Sequence, residues 1–322
     1  MKYSKRLFLF FFFVYQAHYA QFTDEINSNR PGKSMMAFAV GKSIIQVETG
    51  LNFQNEDHAA LKYDANGFIA ELDFRWGLFF EELEFIAELQ YQNDKYNSAF
   101  ESKNRSALKK TLIGAKYLIY DPFKNYEEKP NLYSWKANHK FKWRQFIPAV
   151  AGYAGVNLNF SDNPFNYAPS YVKETTVSPK VMLIAQNHFG TRWVFVTNLM
   201  YDKIASDFAS INYVITLTRG FNEKWSGFIE NQGYNGDYYS DGVFRLGAAY
   251  LINNRMQVDA SIGKNIKDSP SLFTAGVGFS WRFDANYEEV KIEKDKGSKM
   301  DQKMKKKAEK EKKKRKDEVE IE

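Results

Sequence analysis

Phe273 to Phe283 reads FTAGVGFSWRF, and its side chains alternate without a break: Phe273, Ala275, Val277, Phe279, Trp281 and Phe283 fall on one face, Thr274, Gly276, Gly278, Ser280 and Arg282 on the other. A two-residue period marks an extended strand, because successive Cβ atoms leave a pleated chain on opposite sides. One face is aromatic and aliphatic, the other small or charged. That division suits a strand with lipid outside and a polar interior better than one face of a soluble sandwich, and so predicts a barrel crossing an outer membrane.

The same period recurs upstream. Ile45, Val47, Thr49, Leu51 and Phe53 oppose Gln46, Glu48, Gly50 and Asn52; Phe68, Ala70, Leu72, Phe74 and Trp76 oppose Glu71, Asp73 and Arg75; Leu83, Phe85, Ala87, Leu89 and Tyr91 oppose Glu82, Glu84, Glu88 and Gln90. Charges at every second position cannot be sorted onto one face of a helix. Further strands are expected at 108–120, 145–160, 175–186, 192–202, 210–218, 225–232, 242–251, 256–263 and 271–283, about twelve in all, an even number as single-chain bacterial barrels have. Pro148 and neighbouring glycines predict a bulge or bend in 145–160. The segments 77–81, 187–191, 219–224 and 252–255 read as tight turns, whereas 55–65, 93–107 and 160–174 read as long polar loops at the other end. The stretch 121–144 is long although the alternation puts it among the short turns.

Lys2, Lys5 and Arg6 precede the apolar run Leu7 to Tyr15, and Ala20 follows at the exit. This is the order of a signal peptide, expected over 1–20; the apolar run falls short of the roughly 20 residues a transmembrane helix needs. Residues 21–42 are then expected as a periplasmic N-terminal segment and 43–283 as the barrel. With no cysteine in the chain, disulfides are excluded. A mean hydropathy of −0.53 beside 17% aromatic residues fits strands in which every second residue is polar. Residues 284–322, with Lys305 to Lys307 and Lys312 to Lys316, hold too little apolar surface for a core and read as a disordered periplasmic tail. Its partner, if it has one, would be acidic and periplasmic; an exported chain excludes nucleic acid. The remaining expected partners are outer-membrane lipid and, during insertion, the barrel-assembly machinery.

Catalytic, cofactor and metal chemistry is not expected. The four histidines, His18, His58, His139 and His188, show no metal-ligand spacing. His188 with Ser178 is the one conceivable base and nucleophile, and a turn histidine is the simpler reading. The functional signal lies instead in the polar face: Gln46, Glu48, Glu71, Asp73, Arg75, Glu82, Glu84, Glu88, Lys116, Glu230, Arg245, Asp259 and Arg282 are candidates to line the lumen. Acids cluster in the first three strands, whereas bases come mainly from later ones. Two readings follow: acids and bases pair and pack a narrow interior, or opposed walls form a charged constriction in a hydrated pore.

Asn29-Arg30-Pro31-Gly32, Val40-Gly41-Lys42 and Gln46-Val47-Glu48-Thr49-Gly50, followed by Gly114-Ala115-Lys116-Tyr117, the Asp259 strand and the closing GVGFSWRF, resemble the outer-membrane transporter family labelled for the meta-pathway of phenol degradation. The resemblance covers nearly all of 27–283; the tail and the 121–144 loop depart from it. It implies a barrel for passive or facilitated passage of small molecules, with small aromatic or hydrophobic compounds as the implied class. The alternative is a non-transporting barrel that anchors the tail or serves as an assembly partner.

Overall fold

The computed structural model describes residues 26–124, 133, 143–160, 163–169, 171–190 and 192–284. The expected signal peptide, the tail, His139 and most of the 121–144 loop lie outside these residues. Twelve antiparallel strands form one closed barrel: β1 (Ile44–His58), β2 (Tyr63–Gly77), β3 (Leu83–Ser98), β4 (Ser102–Tyr120), β5 (Ala149–Leu158), β6 (Val177–Phe189), β7 (Trp193–Asp202), β8 (Ser210–Gly220), β9 (Trp225–Gly236), β10 (Ser240–Asn253), β11 (Met256–Asn265) and β12 (Ser271–Asp284). Each strand pairs with its sequence neighbours, and β12 closes on β1 from Ile44↔Asp284 to Asp57↔Ser271. Closure leaves no unpaired edge, the condition a sheet must meet in a medium that offers no hydrogen bonds.

The alternation read from sequence sets which side faces out. On β1 and β12, Leu51, Phe53, Phe273 and Val277 are exposed, while Gln46, Glu48, Ser280 and Arg282 are buried. Around the ring Leu72, Leu89, Leu183, Leu199, Ile215 and Leu246 continue the exposed apolar surface. A protein with charges buried and aliphatic side chains exposed is built for lipid on the outside.

The hairpins differ from expectation in length. Residues 55–65 and 93–107 form strand rather than loop: Asn55 pairs with Asn66 across a turn of only 59–62, and Asn97 with Ser102 across 99–101. Both faces become polar there because the strands project past the lipid, so the period fades although the backbone ladder continues. The irregularity expected near Pro148 sits on the facing strand, where the β4–β5 register shifts between Leu118 and Tyr120; β5 itself runs regularly from Ala149, after a short 3-10 turn at Trp143–Phe146.

An arginine placed on the lipid face, Leu89→Arg, should destabilise the barrel by about 2 to 4 kcal/mol if it sits at mid-membrane depth, whereas Gln90→Arg, one residue on and facing inward, should cost less. Urea unfolding in vesicles, followed by heat-dependent gel mobility, measures both.

Candidate functional site

The barrel interior is occupied by the chain's own N-terminal segment. Residues 26–42, which the sequence reading placed ahead of the barrel, lie inside it, with Met35, Ala37, Phe38 and Val40 buried. An extended segment surrounded by strands that already pair with one another has no ladder to join, so its backbone must bond to side chains. The wall supplies them. Asn198 accepts from the Met35 N–H (2.6 Å) and donates to the Met35 carbonyl (2.9 Å), closing a two-bond pair of the kind strands make. Gln186 accepts from Ala37 N (2.8 Å) and Glu84 from Val40 N (3.2 Å), while Lys116 Nζ donates to the carbonyls of Met36 (2.9 Å) and Phe38 (3.0 Å). Glu230 accepts from the N–H groups of Lys33 (2.8 Å) and Ser34 (3.3 Å), and Glu48 from Asn29 and Arg30 (both 3.3 Å). Arg75 and Gln46 donate to the Asn27 carbonyl (2.6 and 3.1 Å).

Arg30 is the segment's anchor. Its guanidinium pairs with Glu71 (2.7 Å) and Asp259 (3.4 Å). It lies flat on Gly50 and Gly278, which face each other in the β1–β12 register; a Cβ at either would collide with it. The leading Arg30-Pro31-Gly32 motif and two glycines far along the sequence are thus one contact. Gly41, at φ 96°, lets the segment turn out of the lumen into β1, where Ser43 N bonds the Gly77 carbonyl (2.9 Å).

The expected lumen residues divide into two groups. Glu48, Arg75, Glu84 and Lys116 form one buried network at the end where β1 begins: Arg75 bonds Glu48 (2.9 Å) and Glu84, and Lys116 reaches Glu84 at 2.9 Å. Gln46 donates to Glu48 (2.7 Å), and Arg282, paired in register with Gln46, is buried beside them. Glu71, Asp73, Glu88 and Arg245 instead line a cavity of about 490 Å³ on the far side of the segment. Glu230 links the two regions, holding Arg245 (3.0 Å), Thr216 (2.9 Å) and the segment backbone. Asp259 serves Arg30. Glu82 stands apart from all of these, in the β2–β3 turn, where it pairs with Lys124 (3.0 Å). Asp73 apart, the acids are therefore answered by strand neighbours and by the segment, rather than by basic side chains across an open bore. Ser178 and His188 lie ten residues apart on β6, about 33 Å of strand, so they form no catalytic pair; His188 contacts Gln186 (2.8 Å) and the ring of Phe38.

The large cavity is a chamber. Its floor is Asn29 to Met35. Its roof includes Asn163, Phe165, Asn166 and Tyr167, pinned where Arg105 donates to the Pro164 carbonyl (3.0 Å) and covers the Phe165 ring, and again where Tyr167 stacks on Tyr239 with centroids 4.9 Å apart. Burial, reinforced by the Glu56 carboxylate, pushes the Tyr167 phenol upward, so it remains a neutral donor. A second cavity of about 150 Å³, against Thr216, Thr218, Gly227 and Phe228, lies beyond the segment, and Asn29, Arg30, Pro31, Gly32 and Ser34 line both.

Of the cations in this chamber, sequence reading named Arg245 and missed the lysines and Arg30. In the β3–β4 register Gln90 faces Lys110 but Tyr91 faces Leu108, leaving Lys109 as an extra residue; the bulge turns two consecutive lysines inward. Lys110 pairs with Glu88, Lys33 with Glu71, Lys180 with Asp202 (3.8 Å) and Lys203 with Glu174 (2.9 Å). A doubled lysine inside an alternating strand was the available signal.

A closed barrel with a lipid-facing belt and a polar, chambered lumen defines an outer-membrane β-barrel. Residues 28–283 match the family described as "Putative MetA-pathway of phenol degradation", and the chain belongs to it. No curated protein matches. Among solved structures the chain is similar to an outer membrane channel from Pseudomonas putida F1, at 10% identity over 80% of this chain and 100% of that one, with a TM-score of 0.49. It is also similar to the KdgM porin (9% identity, 73% of this chain and 99% of that one, TM-score 0.43) and to the P. putida toluene transporter TodX (7%, 76% and 91%, TM-score 0.39).

Arg75→Met, which leaves Glu48 and Glu84 short of their shared cation, should cost about 3 to 5 kcal/mol, the range for breaking a fully buried pair, read as a lowered unfolding midpoint. Gly278→Val should displace Arg30 while leaving the β11–β12 ladder intact; faster hydrogen exchange confined to 26–42 is the expected result.

Proposed function

We propose that the protein is an outer-membrane channel for passive or facilitated passage of small molecules, with the chamber as a way station and residues 29–34 as the barrier beneath it. The roofed end faces outward in this reading, and the chain ends face the periplasm after export through residues 1–20. The observation that carries it is the pair of cavities: space for solute exists on both sides of the segment, and the same few residues form both walls. A sealed anchor would gain nothing from a chamber of about 490 Å³, which is within the size range of ligand sites. The solute class we propose, small aromatic or hydrophobic compounds, draws on the family's description, which names phenol degradation.

The competing reading, a barrel that only anchors the tail, draws on the dense packing of the near half, where Ala37 and Val40 are 0% and 1% exposed. Planar-bilayer recordings on a variant lacking 27–40 separate the two. Passage predicts small steps from the intact protein and much larger steps from the variant. Silence from both, with the variant still a heat-modifiable barrel, would leave the anchor.

A further inference from the structure

The segment seals the lumen unevenly around its circumference. Against β3 to β8 it is packed into an apolar core that joins Met35 and Phe38 to Leu112, Ile184 and Val196. Against β1 and β2 the buried pairs of Arg75 close the gap. The smaller cavity touches neither side; its barrel wall is drawn from β8 to β11, and the chamber reaches the same four strands from above. One inward position per strand separates the two linings: Val214, Glu230, Gly247 and Asp259.

Three of these positions are filled. Val214 belongs to the apolar core, Glu230 holds Arg245, Thr216 and the segment backbone, and Asp259 takes Arg30. Gly247 brings no side chain, and the space in front of it is taken by Phe228. The two are partners in the β9–β10 register, and a Cβ at Gly247 would stand 2.6 Å from Phe228 Cε1. The other edge of the ring faces the segment, where Cε2 lies 3.6 Å from the place a Gly32 Cβ would occupy. The ring therefore bridges wall and segment between two residues that have no side chain to hold it. Among the described residues it is the only aromatic ring lining the smaller cavity.

We propose that Phe228 is the specificity-determining residue of the channel: solute leaves the chamber along the inner face of β9, past Gly247, and the ring sets what completes the crossing. This rests on the proposed passage and names the residue that selects within it. An apolar ring in a narrow gap excludes ions and hydrated solutes, because water beside it has no partner and a constriction of this kind empties. A small aromatic or apolar solute has no hydration shell to surrender and can replace the contacts of the ring as the ring turns aside. The polar chamber collects solute; the ring below it selects.

Potassium chloride currents in planar bilayers and arabinose entry into liposomes test this with the full-length protein. Phe228→Ala should raise the current severalfold and admit arabinose, whereas Phe228→Leu, which keeps the gap apolar, should stay close to the intact protein. Phe38→Ala removes the same ring from the sealed side and should change neither readout. The chain has no cysteine, so a small thiosulfonate reagent acts on Phe228→Cys at that position alone, and the current gained by losing the ring should fall again on modification. No response to Phe228→Ala in a barrel that remains heat-modifiable, an equal rise from Phe38→Ala, or a current indifferent to modification at 228 would overturn the assignment. The variant lacking 27–40 keeps the two proposals apart. Large steps from it with no response at 228 retain passage and reject the β9 route; silence from it and from every substitution rejects passage itself, and the selecting role of Phe228 with it.

Discussion

Inside a closed barrel every strand is already paired, so the segment that fills the lumen can satisfy its backbone only through side chains. That constraint orders the interior. An unbonded buried N–H or carbonyl costs about 1 to 3 kcal/mol, and the segment presents one of each at nearly every residue from Asn27 to Val40. Asn198, Gln186, Glu230, Glu84, Lys116 and Glu48 are the replies, drawn from six different strands. Carboxylates answer N–H groups, an ammonium answers carbonyls, and an amide answers one of each at Met35. The wall's polar composition is a negative of the segment's backbone.

Charge then has to be balanced locally. Glu84 takes Arg75, Lys116 and the Val40 N–H together, so its two oxygens are shared among three donors at the point where the segment is most deeply buried. Arg30 plays the matching role at the chamber floor. Its flat guanidinium needs carboxylates at its edge and nothing beneath it, and Gly50 and Gly278 provide the clearance on adjoining strands. These two anchors fix the segment's register: sliding it by one residue would offer side chains a carbonyl where an N–H is required.

Much of this was legible in the sequence, for identifiable reasons. Strand identity and the inward face follow from a period that the backbone enforces residue by residue, so the FTAGVGFSWRF strand and its eleven partners were readable from local pattern. Where the period fades, as in 55–65 and 93–107, the chain is still strand, because a largely polar outer face beside an inner face that buries Glu56 and Asp94 removes the apolar half of the signal without removing the ladder. The polar set was likewise readable as inward. What it binds was not: the pairing of Glu48, Glu71 and Glu84 depends on a segment threaded from before β1, and nothing local in Asn29-Arg30-Pro31-Gly32 says that Arg30 will rest on Gly278. Lys109 was hidden by a bulge, a one-residue defect that inverts every inference drawn from alternation beyond it. Glu82 erred the other way, since strict alternation was carried one residue past the start of β3 into a turn.

The way the segment is held bears on whether it can move. A strand added to a sheet leaves through cooperative loss of a ladder, with neighbouring bonds stretched together. Here each backbone group is held by a separate side chain, worth about 0.5 to 1.5 kcal/mol net when neutral and more when charged, and each side chain has rotamers of its own. Such a segment can release in parts. The portion that makes the floor, Asn29 to Ser34, is tied chiefly by Arg30, Glu48 and Glu230, while the stretch from Met35 to Val40 has its own ties to Asn198, Gln186, Lys116 and Glu84. A shift confined to Asn29 to Ser34 would join the two cavities at the cost of the Glu48 bonds to the Asn29 and Arg30 N–H groups, leaving the Arg75–Glu48 and Lys116–Glu84 pairs in place. The wall's Arg75 and Lys116 pairs and the segment's ties to Glu71 and Glu230 are thus separate bonds that meet at Glu48, an arrangement that suits the proposed passage of solute through a wall closed to lipid.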